Sequence, residues 1–319
     1  MSRSDTKVRV AVTSRSFSRH PTLRAELLAR YPHVTFNDEG RSLAGESLIA
    51  FLRGHERAIT GLERLDEAVF KALPELKVVG KHGVGLDMID LEAMARHGVK
   101  LGWTGGVNRR SVSELVIAFA VMLLRHLPAA SAEVKGGTWR PHVGRQLSGR
   151  TVGIVGCGHV GKDLAVLLRA MGCRVLAHDI RDFPEFYARH GIAPVGLTEL
   201  LRAADVVTLH VPLDASTRNM LSAERLALMR VDAVLINTAR GKIVDETALK
   251  ARLKDGRLAG AAFDVFATEP PEDAELLRLP NFLATPHIGG AAEEAILAMG
   301  RAAIAGLDAA GDPREVARS

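Results

Sequence analysis

The stretch Thr151-Val152-Gly153-Ile154-Val155-Gly156-Cys157-Gly158-His159-Val160-Gly161 decides which fold this chain can adopt. Its first half is a short apolar run suited to a buried parallel strand, and apolar residues recur at helical spacing over residues 164–171. A second apolar run, residues 174–178, ends at Asp179. The order of strand, glycine turn, helix and second strand predicts a βαβ unit.

The glycine turn has the spacing Gly156-x-Gly158-x-x-Gly161. In such a turn the first glycine allows a sharp bend, the second lets the backbone approach a pyrophosphate, and the third lets helix and strand pack closely. Free backbone N–H groups and the positive end of the helix then attract the diphosphate. The turn therefore predicts a dinucleotide-binding site.

Asp179 closes the second strand about 20 residues after the turn, where a carboxylate can accept hydrogen bonds from an adenosine ribose. The same carboxylate would repel a 2′-phosphate, which favours NAD over NADP. Arg181, two residues further on, could partly offset the carboxylate. The alternative interpretation is a structural turn followed by a surface aspartate.

Composition limits the class of protein. The chain has 319 residues, of which 47% are hydrophobic, so we expect two domains. Its net charge of +5 comes from scattered basic residues, which argues for a solvated surface rather than for nucleic-acid binding. The two cysteines and the histidines show no disulfide framework or metal spacing. With no signal peptide and no apolar run long enough to span a membrane, we expect a soluble cytoplasmic protein without a metal.

The rest of the chain alternates extended and helical segments, which predicts parallel sheets with helices on both faces. The further predicted strands are residues 8–12, 34–35, 58–60, 78–80, 99–102, 206–211, 233–237, 260–265 and 283–286. The further predicted helices are residues 22–30, 46–53, 66–73, 91–97, 111–126 and 291–307. Ser111, with Glu114 three residues later, predicts an N-cap and a capping box at the start of the 111–126 helix.

Three of these strand ends stand out as candidate sites. Catalytic groups of a doubly wound fold lie beyond the carboxyl ends of the parallel strands. Each of the three ends carries polar residues beside glycine or proline. They are Ile236-Asn237-Thr238-Ala239-Arg240-Gly241, Asp264-Val265-Phe266-Ala267-Thr268-Glu269-Pro270 and Thr285-Pro286-His287-Ile288-Gly289-Gly290.

Together these segments resemble one family, the D-isomer-specific 2-hydroxyacid dehydrogenases, and most of all its phosphoglycerate dehydrogenase-like members. The resemblance is also carried by Gly83-Val84-Gly85-Leu86-Asp87, by Asn108 with residues 111–114, and by His210-Val211-Pro212-Leu213. The segments follow the family's order along nearly the whole chain. That order is more specific than any single motif.

The resemblance implies an α/β protein with two doubly wound parallel-sheet domains, in which a Rossmann NAD domain is inserted in a flavodoxin-like substrate domain. Residues 1–103 and 290–319 would form the substrate-binding domain, and residues 104–289 the NAD-binding domain with a dimerisation helix and loop. The resemblance also implies a homodimer, in which the helix from Ser111 and the loop through Trp139 pack around the nucleotide domain of the other subunit.

The same resemblance implies an NAD-dependent oxidoreductase that transfers a hydride between nicotinamide and C2 of a small D-2-hydroxy acid or 2-keto acid, with or without a phosphate group. Its catalytic residues would be Arg240, Glu269 and His287. The substrate carboxylate would be bound by Arg240 and by the backbone of Val84 and Gly85. A larger set would contact the cofactor, namely Gly156, Gly158, His159, Val160, Gly161, Asp179, Thr104, Val211, Pro212, Thr238, Ala239, Asp264, Gly289 and Gly290.

The chemistry agrees with these residue types. Reduction of a 2-keto acid builds negative charge on the carbonyl oxygen, so a proton donor is needed beside it. Histidine titrates nearest to working pH, and a carboxylate such as Glu269 would favour the imidazolium and orient the ring. Arg240 offers a permanently charged planar fork that matches a carboxylate.

Several expectations narrow the function further. Glu269 disfavours formate as the substrate, because the formate dehydrogenases that this architecture resembles carry glutamine there. The chain ends soon after the 291–307 helix, so we expect no carboxyl-terminal regulatory domain. Two readings of Lys81, His82, Arg109 and Arg110 stay open: they could receive a second anionic group such as phosphate, or they could be exposed charges. A second function also stays open, that of an NADH-sensing corepressor of the same fold that binds protein partners.

Overall fold

The computed structural model describes residues 7–318, which form two compact units. One unit comprises the chain up to Asn108 and the chain from Ala292 onward. The other unit is Arg109–Ala291, and it is therefore inserted into the first. The predicted boundaries lie five residues earlier at the first junction and two residues earlier at the second.

The first unit contains a five-stranded sheet whose paired strands all run parallel. Its strands are β1 (Arg9–Val12), β2 (His33–Phe36), β3 (Arg57–Thr60), β4 (Val78–Lys81) and β5 (Lys100–Gly102). The spatial order β2-β1-β3-β4-β5 is that of flavodoxin-like folds. Successive residues of β1 point into two different apolar clusters, Val10 and Val12 into one and Ala11 into the other, so the sheet is buried on both faces.

Helices cover this sheet on both sides. They are α1 (Arg15–Arg19), α2 (Pro21–Leu28), α3 (Gly45–Leu52), α4 (Glu67–Ala72), α5 (Leu91–Arg96) and, after the inserted unit, α14 (Glu293–Gly306) and α15 (Pro313–Val316). Helix α14 packs against β4 and β5. The last long helix therefore belongs to the same unit as the first half of the chain.

The inserted unit contains a seven-stranded parallel sheet. Its strands are β6 (Thr151–Val155), β7 (Arg174–His178), β8 (Ala193–Pro194), β9 (Val206–Leu209), β10 (Val234–Asn237), β11 (Gly260–Phe263) and β12 (Phe282–Ala284). In the order β12-β11-β10-β9-β6-β7-β8, the chain adds β7 and β8 on one side of β6 and then β9 to β12 on the other side. This is the strand order of a Rossmann fold with one added edge strand. The predicted fold class is thus confirmed for both units.

Eight helices belong to the inserted unit. They are α6 (Arg109–Leu124), α7 (Leu127–Lys135), α8 (His159–Ala170), α9 (Pro184–His190), α10 (Leu197–Ala203), α11 (Ala223–Leu226), α12 (Glu246–Lys254) and α13 (Ala274–Leu277). Ile154 of β6 joins a core that includes residues of α6 and α8, and its neighbour Val155 joins a second core that includes residues of α10 and α12. Both faces of this sheet are therefore buried as well.

The predicted N-cap of α6 is wrong. The helix begins at Arg109, so Ser111 lies inside its first turn. The hydroxyl of Ser111 donates to the carbonyl oxygen of Gly289 at 2.6 Å instead of capping the helix. The capping-box pattern was misleading because the Ser111 hydroxyl forms its hydrogen bond with Gly289, which is distant in the sequence. The prediction also missed several elements of nine residues or fewer, namely α1, α7, α9, α10, α11, α12, α13, α15 and β8.

Within residues 7–318 no single helix is long and apolar enough to cross a membrane. Helices α6 and α7 taken together are long and apolar enough to do so by length and composition, but the chain bends by 64° at the break between them.

Lys81 and His82, at the end of β4, are buried, at 3% and 7% exposed. Their interpretation as exposed charges is therefore wrong. The Lys81 ammonium donates to the carbonyl oxygen of Gly61 at 2.5 Å, and Nδ1 of His82 lies 2.9 Å from the Ser14 hydroxyl. Burial, and then the charge of Lys81, lower the pKa of His82 to about 4. His82 is therefore neutral in the folded protein at physiological pH.

This burial predicts a loss of stability in acid. Between pH 6.5 and about 4 the unfolded chain binds a proton at His82 that the folded chain does not, so stability is complete above pH 6.5 and falls below it. A depression of this size is worth about 3 kcal/mol at pH 4. We expect the melting temperature of His82→Gln to depend less on pH over this range than that of the wild type, and parallel curves would contradict the assignment.

Candidate active site

The glycine turn lies between β6 and α8, where the sequence predicts it. Gly156 has φ +96°, and a Cβ there would lie 2.6 Å from the carbonyl oxygen of His210. A Cβ at Gly161 would lie 2.1 Å from the carbonyl oxygen of Gly156, which only a glycine can tolerate. A Cβ at Gly158, in contrast, would have no neighbour within 4 Å. The turn thus has the tight bend and the close helix contact of a dinucleotide site, and open space beside its middle glycine.

Positive charge gathers at the start of α8. Burial lowers the pKa of His159, the first residue of the helix, and the charges of Arg109, Lys162 and Arg181 act in the same direction. The helix has 12 residues, and its amino terminus adds a partial positive charge of its own. An anion such as a diphosphate is therefore favoured at this helix end, so the residues present fit an NAD diphosphate.

Asp179 follows β7 and closes the turn from the other side. One carboxylate oxygen accepts from the backbone N–H of Cys157 at 2.6 Å, and the other accepts from the backbone N–H of Arg181 at 2.8 Å. These bonds fix the carboxylate at the edge of the glycine turn, the position predicted for a carboxylate that binds the adenosine ribose. Ile180, which the sequence reasoning did not single out, is 95% exposed next to it and lines a shallow pocket with Tyr187.

The two residues predicted to carry acid–base chemistry are in contact. Nδ1 of His287 donates to Oε2 of Glu269 at 2.9 Å, because a carboxylate can only accept. The other oxygen of Glu269 accepts from the backbone N–H of Phe266 at 3.1 Å. Both side chains are partly exposed, His287 at 49% and Glu269 at 42%. The ring of His287 is therefore held through Nδ1.

His287 has a backbone φ of +57°, in the left-handed region that residues other than glycine rarely adopt. Such strain tends to mark functional positions. The loop is held there by Asp264, which is 1% exposed. The Asp264 carboxylate accepts from the Thr285 hydroxyl at 2.6 Å and from the backbone N–H groups of Ile288 and Gly289, each at 2.7 Å. The sequence reasoning assigned Asp264 only to the cofactor and missed these contacts.

Arg240 lies in the loop after β10. The Asn237 side chain braces this loop, because its oxygen accepts from the backbone N–H of Ala239 at 3.1 Å and its nitrogen donates to the carbonyl oxygen of Arg240 at 2.9 Å. The Arg240 guanidinium donates to the carbonyl oxygen of Ala239 at 2.7 Å. The end of β10 thus presents one arginine on a loop with defined internal hydrogen bonds.

Most of the predicted site residues lie in the inserted unit, beyond the carboxyl ends of its strands or in the glycine turn. They are Arg240, Glu269, His287, Gly156, Gly158, His159, Val160, Gly161, Asp179, Val211, Pro212, Thr238, Ala239, Asp264, Gly289 and Gly290. Val84, Gly85 and Thr104 belong to the other unit. The roles of all these residues stay predictions.

The comparisons with known proteins agree with this site. The family model described as "D-isomer specific 2-hydroxyacid dehydrogenase, NAD binding domain" matches residues 117–289. The glycerate dehydrogenase of Methylorubrum extorquens is 34% identical over 299 residues, which are 90% of this chain and 92% of that protein. The D-3-phosphoglycerate dehydrogenase of Rattus norvegicus is 37% identical over 260 residues, 81% of this chain and 49% of that protein. The chain spans about half the length of the phosphoglycerate dehydrogenases it matches.

A solved structure adds to this. The D-lactate dehydrogenase from Aquifex aeolicus, complexed with NAD and lactic acid, superposes with a TM-score of 0.81 at 25% identity and covers 94% of each chain. The family model covers more than half of the sequence, and it includes the glycine turn and all three candidate catalytic residues. The chain belongs to the D-isomer-specific 2-hydroxyacid dehydrogenase family and carries that family's NAD-binding domain.

Proposed function

We propose that the protein is an NAD-dependent D-2-hydroxyacid dehydrogenase that interconverts a small D-2-hydroxy acid and the corresponding 2-keto acid. The observation that carries the proposal is the His287–Glu269 pair, with Nδ1 and Oε2 2.9 Å apart, in the same unit as the dinucleotide turn. A histidine held by a carboxylate beside a nicotinamide cofactor is suited to supply or remove the hydroxyl proton.

NAD, when bound, gives or accepts the hydride. The protein's residues transfer the proton, orient the catalytic ring and bind the substrate. In the reducing direction His287 donates a proton from Nε2 to the oxygen on which charge develops, and in the oxidising direction it removes that proton. Glu269 fixes the ring and stabilises its charged form. Arg240 binds the carboxylate of the substrate, because a guanidinium pairs with it through two parallel hydrogen bonds.

Val84 and Gly85, the predicted cradle for the substrate carboxylate, belong to the first unit. The indole N–H of Trp103 donates to the carbonyl oxygen of Val84 at 3.1 Å, so this turn is held in place within its own unit. The names of the relatives support glycerate and 3-phosphoglycerate as members of the substrate class. We include the phosphorylated acid in the proposal for that reason.

NADH oxidation against a panel of 2-keto acids tests the proposal. The panel contains glyoxylate, hydroxypyruvate, pyruvate, 2-oxoglutarate and 3-phosphohydroxypyruvate. We expect saturable turnover with at least one of them, and the ranking identifies the side chain that the site accepts. Measurable NADH binding without turnover on any acid would overturn the enzyme and favour the sensor function.

The preference for NAD gives a separate prediction. Asp179→Asn keeps an oxygen that can accept from Cys157 but removes the charge that repels a 2′-phosphate. We expect the ratio of NADPH to NADH dissociation constants to fall by about tenfold, since like charges a few ångströms apart cost about 1 kcal/mol or more. Fluorescence titration with each cofactor measures this ratio. Asp182→Asn, at an exposed carboxylate three residues further on, is the control, and an equal change in both variants would contradict the role of Asp179.

We also propose that the protein is a homodimer. Helix α7 buries none of its nine residues, and the following segment exposes Trp139 at 86% and Val143 at 94%. Apolar side chains exposed on one segment favour burial against a second copy. The molar mass in solution, by light scattering, measures the assembly. A cytoplasmic location stays a prediction.

A further inference from the structure

Glu246 makes a contact that its place in the helix does not require. It is the first residue of α12, whose N-cap is Asp245. The Asp245 carboxylate already caps the helix by accepting from the backbone N–H of Ala248 at 2.9 Å. The carboxylate of Glu246 instead reaches across to a different loop and accepts from the backbone N–H of Ala267 at 2.8 Å. Glu246 therefore ties the start of α12 to the loop after β11.

That loop carries Glu269. The neighbouring amide, the N–H of Phe266, donates to Glu269 itself at 3.1 Å. Two consecutive backbone N–H groups thus bind two different carboxylates, one from inside the turn and one from α12. The second oxygen of Glu269 holds His287 at 2.9 Å. A continuous path of hydrogen bonds and backbone runs from Glu246 through the turn 266–269 to the His287 ring.

The loop that carries Arg240 also contacts the turn 266–269. A Cβ at Gly241 would lie 1.8 Å from the carbonyl oxygen of Phe266, so the two backbones are in direct contact. Gly241 follows Arg240, and α12 begins five residues later at Glu246. The segment 241–246 therefore contacts the turn at two points, through Gly241 and through Glu246. The candidate catalytic residues Arg240 and Glu269 are therefore positioned by a shared support.

The surroundings of Glu246 act on its charged form in both directions. Burial, and to a lesser extent the carboxylate of Asp273, raise the pKa of Glu246, whereas the N–H of Ala267 lowers it. Lys250 on the same helix pairs with Asp273 at 2.8 Å. The amino terminus of α12 favours a carboxylate in its first turn. A hydrogen bond to a charged acceptor in a partly buried place is stronger than one between neutral groups.

We propose that Glu246 is a positioning residue for the reaction: its hydrogen bond to Ala267 holds the turn 266–269, and through Glu269 it fixes the orientation of the His287 ring. Glu246 itself touches neither substrate nor cofactor. The inference rests on the proposed dehydrogenase function and deepens it by assigning a support for the acid–base pair.

Two substitutions of Glu246 test this role in an enzyme first shown to turn over a 2-keto acid. Glu246→Ala removes the acceptor, and we expect kcat to fall about tenfold, the size of one charge-assisted hydrogen bond. The KM of the keto acid and the dissociation constant of NADH should stay within about twofold, because neither ligand has lost a contact. Glu246→Gln keeps an oxygen that can accept from Ala267, and we expect it to retain most of the wild-type kcat.

Glu272→Ala is the matched control. Glu272 is exposed and lines a pocket together with Glu246 and Ala267, and its removal leaves the hydrogen bond between Glu246 and Ala267 in place. We expect its kcat to equal that of the wild type. If Glu246→Ala does not fold, Glu246→Thr, which is too short to reach Ala267, replaces it with the same expectation.

The outcomes separate the two proposals. A wild-type protein that turns over no keto acid overturns the proposed function, and this inference with it. In an active enzyme, an unchanged kcat in Glu246→Ala overturns the positioning role alone. Equal losses in Glu246→Ala and Glu246→Gln, or a loss that falls on KM or on NADH binding, also overturn it.

Discussion

Replacing His287 with alanine should lower the turnover of 2-keto acids by about 10² to 10⁴, the usual contribution of a positioned acid–base group. The variant loses the Nε2 proton and the partner of Glu269 together, because Glu269 lies 2.9 Å from Nδ1 of the same ring. Binding of NADH should be unchanged, since the glycine turn and Asp179 lie in separate segments of the chain. Steady-state kinetics and fluorescence titration of NADH measure the two quantities independently.

A matched control exists for the backbone of His287. His126 also has a positive φ, +54° against +57° for His287, and is exposed. His126→Ala therefore removes an imidazole from a comparably strained position outside the site and should leave kcat unchanged. A His287→Ala variant that keeps more than about a tenth of the wild-type kcat would show that another group supplies the proton.

Replacing Arg240 with alanine should lower kcat/KM for 2-keto acids by about hundredfold. The expected loss corresponds to about 3 kcal/mol for charge-assisted hydrogen bonds to the substrate carboxylate. Most of it should be in KM, because the carboxylate is bound in the ground state as well as in the transition state. Arg240→Lys keeps the charge but not the planar fork, so we expect an intermediate value.

Arg225→Ala is the control for this substitution. Arg225 is exposed, and its guanidinium donates to the carbonyl oxygen of Met220 at 2.8 Å, much as that of Arg240 donates to Ala239 at 2.7 Å. It should leave KM unaltered. If Arg240→Ala and Arg225→Ala behave alike, the assignment of Arg240 to the substrate carboxylate is wrong.

The sequence predicted the topology well because its decisive signals are local. The close contact at Gly161 is with Gly156 and Ile154 of the same βαβ unit, so the spacing of the glycines reveals it, whereas the neighbour of Gly156 is His210, 54 residues further on. The alternation of apolar runs and helical segments predicted the parallel sheets for the same reason. Helix α7, with no buried residue, lacks such a pattern and was missed.

What the sequence could not show are contacts between segments that are distant in the chain. Ser111 has the residue type and spacing of an N-cap, yet its hydroxyl binds Gly289, 178 residues away. His82 is a titratable residue that the sequence allowed to be an exposed charge, yet it is buried beside Ser14, 68 residues before it. The supporting roles of Asp264 and Glu246 depend on loops more than 20 residues further on. Only the three-dimensional arrangement brings these partners together.

The stereochemical outcome tests the central claim most directly. With the best substrate of the panel whose 2-hydroxy acid is chiral, which leaves out glyoxylate, NAD⁺ reduction is measured with the D and the L enantiomer of the matching 2-hydroxy acid. We predict NADH formation from the D enantiomer, abolished in His287→Ala, and none above background from the L enantiomer. Equal rates for the two enantiomers, or a preference for the L form, would contradict the assignment of this site to a D-2-hydroxyacid dehydrogenase.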